Sequence, residues 1–253
     1  MSRNKTRIMV TMAEEDVTPL KPWLSEEMEL LHMPLERYEY VGNNFEGYEA
    51  TETLLEKYSY MVYGHPRNAS YSIAWFKEEG MLDEAIRQWI HFAIDEQTAS
   101  MLEAEGIPAI HPSGSGKPID LLELLMRLNR IDKMLYPTGI EVIEEMPALF
   151  DEMGVAYRYM PLFKKEGPES GDLESMRTSL KEYPPEVLLV HSQRAAVRTG
   201  AAFPDLNYED LILAAANKGT ANKLFAQDLE PHIVGDGSYQ TLFEKLDSLL
   251  SKQ

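Results

Sequence analysis

The sequence predicts an α/β fold made of two similar, doubly wound lobes of parallel sheet, with the functional site expected in the cleft between them. Three observations carry this expectation. Short apolar runs without alternation recur along the chain, each followed by a helical pattern, as strands covered by helices on both faces require. Pieces of the chain recur in matching order, the mark of an internal repeat. Two Tyr-rich stretches carrying proline, 33–41 and 155–164, interrupt the alternation and read as extended crossings from one lobe to the other.

The strands are expected at 7–11, 60–63, 89–94, 134–136, 187–190 and 211–215, each three to six residues long. Helices are expected at 98–105, 119–128, 142–153, 220–226 and 239–250. The last carries Leu242, Phe243, Leu246, Leu249 and Leu250 on one stripe. Residues 167–172 read as a surface loop, and the acidic runs 14–16 and 26–29 as solvated faces.

The repeat pairs Thr98-Ala-Ser-Met-Leu102 with Thr220-Ala-Asn-Lys-Leu224. Each follows a buried strand and precedes a short strand, a Gly/Ser turn and an amphipathic helix. Tyr63-Gly-His-Pro-Arg67 likewise pairs with Val190-His-Ser-Gln-Arg194, both at strand-to-helix turns. In this fold class ligands bind beyond the carboxyl ends of the strands, which is where the repeat puts Thr98, Thr220 and Ser192. Each has two readings, a helix cap or a donor at an anion site. His65 and His191 are candidate acid/base groups, with a structural role as the alternative. Arg67, Arg194 and Arg198 are candidate carboxylate clamps, with a solvated surface position as the alternative.

Composition narrows the function classes. There is no cysteine, which excludes disulfides, thiolate metal sites and a cysteine nucleophile. The net charge of −18 argues against nucleic acid and an acidic membrane surface as partners. An anionic ligand would need local donors. No apolar stretch is long enough to span a bilayer and no signal peptide is read at the start, so a cytoplasmic location is expected. Ser113-Gly-Ser-Gly-Lys117 is not a phosphate loop: His111 stands at the first glycine position and Pro118 replaces the Ser or Thr that would hold magnesium.

Five blocks, in this order, resemble uroporphyrinogen-III synthases: 8–11, 60–68, 93–106, 135–163 and 187–238. They include Thr98-Ala99, Gly106, Ser192, Phe203-Pro-Asp205, Thr220-Ala221 and the Gly-Asp-Gly-Ser closing at Ser238. The resemblance implies two flavodoxin-like parallel-sheet domains joined by a two-stranded β-ladder. One domain would comprise residues 1–33 and 164–253, the other 35–162. It implies conversion of hydroxymethylbilane to uroporphyrinogen III, with loss of water and inversion of the last pyrrole ring through a spiro intermediate. It implies no cofactor, no metal and a monomer. By position, substrate carboxylates would be held by Thr98, Ser192 and Thr220, with Arg194, Arg67 and His65 near by; no catalytic residue is assigned. Against the family pattern, Met12 replaces an arginine, Asp95 and Asn217 replace glycines, His65 replaces a serine and Phe163 replaces a tyrosine. A non-catalytic paralogue, binding another anionic small molecule or a protein partner in the same cleft, is the second reading.

Overall fold

A computed structural model of the chain describes residues 5–43, 51–113, 116–128, 133–141 and 144–252. Gly114 and Ser115 of the glycine-rich turn, and the expected helix start at Val142, lie outside them. The chain forms two compact units, unit 1 from Met1–Arg37 and Glu166–Gln253, and unit 2 from Tyr38–Lys165.

Unit 1 opens with β1 (Thr6–Val10), a single turn α1 (Glu14–Val17), a 3-10 segment (Thr18–Trp23) and β2 (Met28–His32). The chain then enters unit 2 along β3 (Arg37–Tyr40), followed by α2 (Thr51–Lys57), β4 (Tyr60–Tyr63), α3 (Pro66–Glu78) and α4 (Leu82–Gln88). Next come β5 (Ile90–Ala93), α5 (Glu96–Glu103), β6 (Ala109–Ile110), α6 (Pro118–Met126), β7 (Met134–Gly139), α7 (Glu145–Glu152) and β8 (Tyr157–Glu166). Unit 1 is completed by α8 (Ser170–Glu182), β9 (Val187–Val190), α9 (Gln193–Ala202), β10 (Ile212–Ala215), α10 (Lys218–Phe225), β11 (Ile233–Val234) and α11 (Tyr239–Leu250).

The sheet of unit 1 runs β11-β10-β9-β1-β2 and is parallel throughout. In order of appearance within the unit this is 2-1-3-4-5, the flavodoxin order. The sheet of unit 2 runs β3-β8-β7-β4-β5-β6, parallel from β8 to β6. Leaving aside β3, its order is 3-2-1-4-5, the other doubly wound arrangement. The two orders are one spatial pattern entered at different points: β4, β5 and β6 correspond to β9, β10 and β11, and β7 and β8 to β1 and β2.

Period-two alternation sends the strand residues to two cores per sheet. In unit 1, Ile8, Val10, Val187 and Leu189 face α11, packing with Leu242, Phe243 and Leu246. Met9, Leu188 and Val190 face the other way, onto Ala195, Ala196, Ala221 and Leu224 of α9 and α10. In unit 2, Met61, Tyr63 and Leu135 pack with Trp75 and Phe76 of α3, while Val62, Phe92, Met134 and Tyr136 pack with α6 and α7. Each of these strands is therefore apolar on both faces, which is why the runs lacked alternation in the sequence. Fully burying one such aliphatic side chain contributes about 1.5–3 kcal/mol.

Two stretches differ from the sequence expectation. Residues 167–172 are not a loop throughout, because Ser170 opens α8. That helix buries only a narrow stripe of Leu173, Met176 and Leu180, too thin to stand out among its Ser, Glu, Lys and Thr residues. The acidic stretch at 26–29 runs into β2, an edge strand whose Glu29 points to solvent, and charged residues are usual on such edges. Among the described residues no helix is long and apolar enough to cross a membrane.

Candidate functional site

Four strands, β4 and β5 in unit 2 and β9 and β10 in unit 1, each pass into a helix through two residues, the second of which is an extended cap. The caps are His65, Asp95, Ser192 and Asn217, with φ between −149 and −162° and ψ between 148 and 173°. Extended backbone at this position turns the cap's side chain back onto the first helical turn. Asp95 accepts from the Thr98 N–H at 2.8 Å, Asn217 from the Thr220 N–H at 2.9 Å and Ser192 from the Ala195 N–H at 3.1 Å. The recurring Thr-Ala pairs thus have matching geometry, with the threonine three residues after its cap.

An α-helix leaves its first N–H groups without intrahelical partners. In α5, α9 and α10 the cap satisfies the third of these. Helix geometry leaves the N–H groups of Glu96 and Gln97, of Gln193 and Arg194, and of Lys218 and Gly219, all on exposed or half-buried residues, turned to the carboxyl ends of the strands. These are anion-binding positions. The starts of α9 and α10 are neighbours: a Cβ on Gly219 would lie 2.9 Å from Gln193 Nε2. Helix α3 differs, because Pro66 has no N–H and the Arg67 N–H donates to His65 Nδ1 at 3.1 Å.

The named candidates therefore divide. Thr98 and Thr220 are fully buried; Thr220 Oγ1 donates to Asn217 Oδ1 at 3.1 Å, and Thr98 Oγ1 has no partner among the described residues. Their backbones stand at the helix starts while their hydroxyls point inward. Ser192 is half-buried and its hydroxyl oxygen serves as a cap; Arg194 is exposed on α9. The Arg67 guanidinium carbon lies 3.5 Å from the centroid of the Tyr38 ring, a cation–π contact. His65 keeps an exposed edge, yet desolvation by its surroundings, with the Arg67 charge adding, lowers its pKa to about 4 against an opposing pull from Asp95. With Nδ1 accepting, the neutral ring presents Nε2–H as a donor.

Each sheet also carries a polar cluster where its strand order reverses, the usual ligand position in open α/β sheets. In unit 2 the reversal lies between β4 and β7. There Glu144 accepts from the Tyr136 hydroxyl, from Asn68 Nδ2 at 3.1 Å and from Thr138 Oγ1 at 3.2 Å. Burial first, then the Glu144 charge, raises the Tyr136 pKa far above the phenol range. Gly64 is required beside this cluster, since a Cβ there would collide with the Tyr136 hydroxyl. In unit 1 the reversal lies between β1 and β9, beside Thr11, His191, Glu36 and Arg198. His191 and Arg198 were candidates in the sequence, but nothing there joined them to Glu36, or Glu144 to Asn68, because those partners lie far apart in the chain. The caps Asp95 and Asn217 did leave a signal: an Asx directly after an apolar strand, three residues ahead of the helix interior.

Other conspicuous groups are structural. His91 is 1% exposed; its Nε2 lies 3.1 Å from the Ala85 carbonyl, which can only accept, so Nδ1 accepts from the Tyr63 hydroxyl at 2.9 Å. Burial lowers its pKa to about 4, with the Ala85 hydrogen bond opposing. Phe163 is buried, stacked on Tyr71 at 4.9 Å and edge-on to Tyr38 at 5.8 Å.

A family model described as HEM4, uroporphyrinogen-III synthase HemD, matches residues 49–242. No curated protein matches the sequence. Among solved structures, a uroporphyrinogen-III synthetase from Helicobacter pylori is similar with a TM-score of 0.63 at 12% identity, over 97% of this chain and 99% of that one. A mutant uroporphyrinogen III synthase from the extremely thermophilic bacterium Thermus thermophilus gives a TM-score of 0.58 at 14% identity, over 98% of this chain and 100% of the other. At such identities the likeness to these structures is one of fold.

Proposed function

Because the chain belongs to the uroporphyrinogen-III synthase HemD family, we propose that it closes hydroxymethylbilane into uroporphyrinogen III, expelling one water and inverting the last pyrrole ring, and that its capped helix starts hold the substrate. The observation that carries the second part is the set of N–H groups opening α5, α9 and α10 that find no partner among the described residues.

The substrate bears eight carboxylates, and the protein carries a net charge of −18. Long-range attraction is therefore unfavourable, and binding must come from short-range donors. A hydrogen bond from a neutral donor to a carboxylate contributes about 1.5–3 kcal/mol, and a helix start adds about 0.3–1 kcal/mol for each anion. Several such contacts offset the repulsion. In this reading Ser192 and the N–H groups of Lys218 and Gly219, just ahead of the capped Thr220, hold carboxylates from unit 1, with Arg194 adding charge. The N–H groups of Glu96 and Gln97, just ahead of the capped Thr98, with Arg67 and the His65 Nε2–H, do so from unit 2. Asp95 is tolerable at a helix start because its carboxylate is committed to the Thr98 N–H. Holding a flexible chain in a closing geometry removes much of the entropic part of the barrier. The reading includes a cytoplasmic monomer acting without cofactor, nucleic acid or membrane.

The test is incubation of the purified full chain with freshly prepared hydroxymethylbilane, followed by isomer analysis of the oxidised porphyrin. Type III product above the uncatalysed background is expected, and Arg194→Gln should raise KM about threefold. Only the type I isomer, formed at the rate seen without protein, would refute it.

A further inference from the structure

Unit 2 holds a carboxylate that no cation of its own balances. Glu144 stands between β7 and α7, beside the carboxyl ends of β4 and β7, where the strand order of the unit reverses. Its Oε2 accepts from the Tyr136 hydroxyl and from Asn68 Nδ2 at 3.1 Å, and its Oε1 from Thr138 Oγ1 at 3.2 Å. All three donors are neutral. They are also buried, Tyr136 and Thr138 completely and Asn68 to 1% exposure, whereas Glu144 itself is half-buried. It makes no ion pair among the described residues. Gly64 is half-buried as well, and a Cβ on it would stand 3.3 Å from Glu144 Oε2, so the carboxylate lies over backbone that reaches the surface.

The surroundings serve this carboxylate at some cost to themselves. Glu144 is the N-cap residue of α7, with φ −113° and ψ 147°, yet its side chain caps no N–H of that helix. A carboxylate at a helix start is stabilising, so the side chain forgoes that contact in order to face the sheet. Asn68 turns Nδ2 to the carboxylate and leaves its buried Oδ1 without a partner among the described residues; the opposite orientation would set one acceptor against another. Neutral donors fix the position of an anion without cancelling its charge. A carboxylate drawn partly out of water is ordinarily paired with a cation. None of the described residues supplies one, so the complement must come with a ligand. Fixed charge of this kind acts most strongly on charge that develops beside it.

We propose that the Glu144 carboxylate is the catalytic counter-ion of the cyclisation, lying against the tetrapyrrole while its last ring is inverted; this rests on the function proposed above. Loss of the hydroxyl takes one proton from solvent. The C–O bond breaks, its electron pair leaves in water, and the methylene carbon with its pyrrole becomes an azafulvenium cation. The last ring attacks that carbon through the ring carbon already bonded to its neighbour. The new carbon–carbon bond gives the spiro intermediate, with the positive charge now on the last ring. The older bond between the last ring and its neighbour then breaks. Its electron pair returns to the last ring, and the bridging carbon becomes a second azafulvenium with the neighbouring pyrrole. The free ring carbon of the last ring bonds to that bridging carbon and gives up its hydrogen to solvent as a proton. Two carbon–carbon bonds form, one breaks, one water leaves, and the proton taken up is returned. Every species between the two proton transfers is one charge more positive than the substrate or the product. A fixed carboxylate beside the rings therefore lowers these species relative to the bound substrate. No proton passes through Glu144.

The experiment compares the full chain with Glu144→Gln, which removes the charge but still offers Thr138 an acceptor, and whose amide can meet the Asn68 Oδ1 once that side chain turns. Initial rates of type III formation from freshly prepared hydroxymethylbilane give kcat and KM. Inhibition constants are measured for two bilanes, one with an aminomethyl group in place of the hydroxymethyl group, a fixed cation there, and one with a neutral methyl group. Salt at about 0.15 M screens the long-range field of the chain. If wild-type protein gives no type III product, the function and this proposal fall together. With an active wild type, Glu144→Gln is expected to lower kcat about 100-fold with KM within about threefold. The wild type should bind the aminomethyl bilane about tenfold more tightly than the methyl one, and Glu144→Gln should abolish that preference. An active wild type whose Glu144→Gln form loses less than about tenfold in kcat, or loses rate through KM alone, overturns this proposal and leaves the function standing. So does a Glu144→Gln form that loses rate but keeps the preference for the cation, since that marks a structural role. If Glu144→Gln does not fold, the wild type decides: preference for the aminomethyl bilane supports the proposal, and equal inhibition by the two bilanes overturns it.

Discussion

The buried imidazole of His91 makes unit 2 sensitive to acid in a way that can be worked out in advance. Its pKa lies at about 4 in the folded chain, against 6.5 for the exposed group. The unfolded chain therefore takes up this proton first as pH falls. The stability present above pH 6.5 is lost progressively as pH drops from there towards 4. Between about pH 7.5 and about pH 5.0 this one group removes about 2 kcal/mol from the folding free energy, by linkage. His65, also lowered to about 4, acts in the same direction but is discounted because its ring edge meets water. Carboxylates contribute too, so the measurement must be differential. Urea unfolding at the two pH values, followed by tryptophan fluorescence, suits the question because Trp75 and Trp89 are buried beside Phe76 in unit 2. His91→Gln loses the Tyr63 contact at both pH values and should be less stable at the higher one. Its further loss on going to the lower pH should be smaller than that of the wild type by about 2 kcal/mol. Equal acid-induced losses in the two proteins would refute the reasoning.

Two further outcomes follow from the helix starts and the unit 2 cluster. Asn217→Ala frees the Thr220 N–H and also strips the Thr220 hydroxyl of its acceptor, so it should cost about 1–2 kcal/mol by thermal unfolding, while Asn217→Asp keeps most of that. Gly64→Ala should destabilise by about 1–3 kcal/mol through overpacking against the Tyr136 hydroxyl. Tyr136→Phe should relieve part of it, and a double-mutant cycle in urea with a coupling energy near zero would contradict the collision.

How far the sequence foretold this arrangement depended on how local the cause was. The stripe of Leu242, Phe243 and Leu246 defined α11 to both its ends, because one helix and one core decide it. The Thr98 and Thr220 pairs were recognised as helix starts, since strand, cap and helix are contiguous. Their hydroxyls were expected to face a ligand, yet both are buried, because the third residue of each helix is turned onto the sheet. Asp95 was noted only as a replacement for a glycine, whereas its carboxylate caps the Thr98 N–H. The Glu36, His191 and Arg198 assembly joins side chains 155 and 162 residues apart, and only tertiary structure brings them into register. The same holds for Glu144 with Asn68.

The placement of β1 has a consequence for how the chain reaches its native state. Ile8 is matched with Val187, so the whole of unit 2 lies in the loop between two adjacent strands. Unit 2 itself is one uninterrupted segment, and loop-closure entropy rises with the length of flexible chain that must be drawn together. Collapse of unit 2 first shortens that flexible path. During synthesis β1 and β2 can pair with each other, but β9 and the helices α9, α10 and α11 that complete the cores around Ile8, Met9 and Val10 follow only after unit 2. The amino-terminal strands are thus the segment that waits longest for its neighbours, and the one most in need of protection from premature association while the ribosome finishes its work.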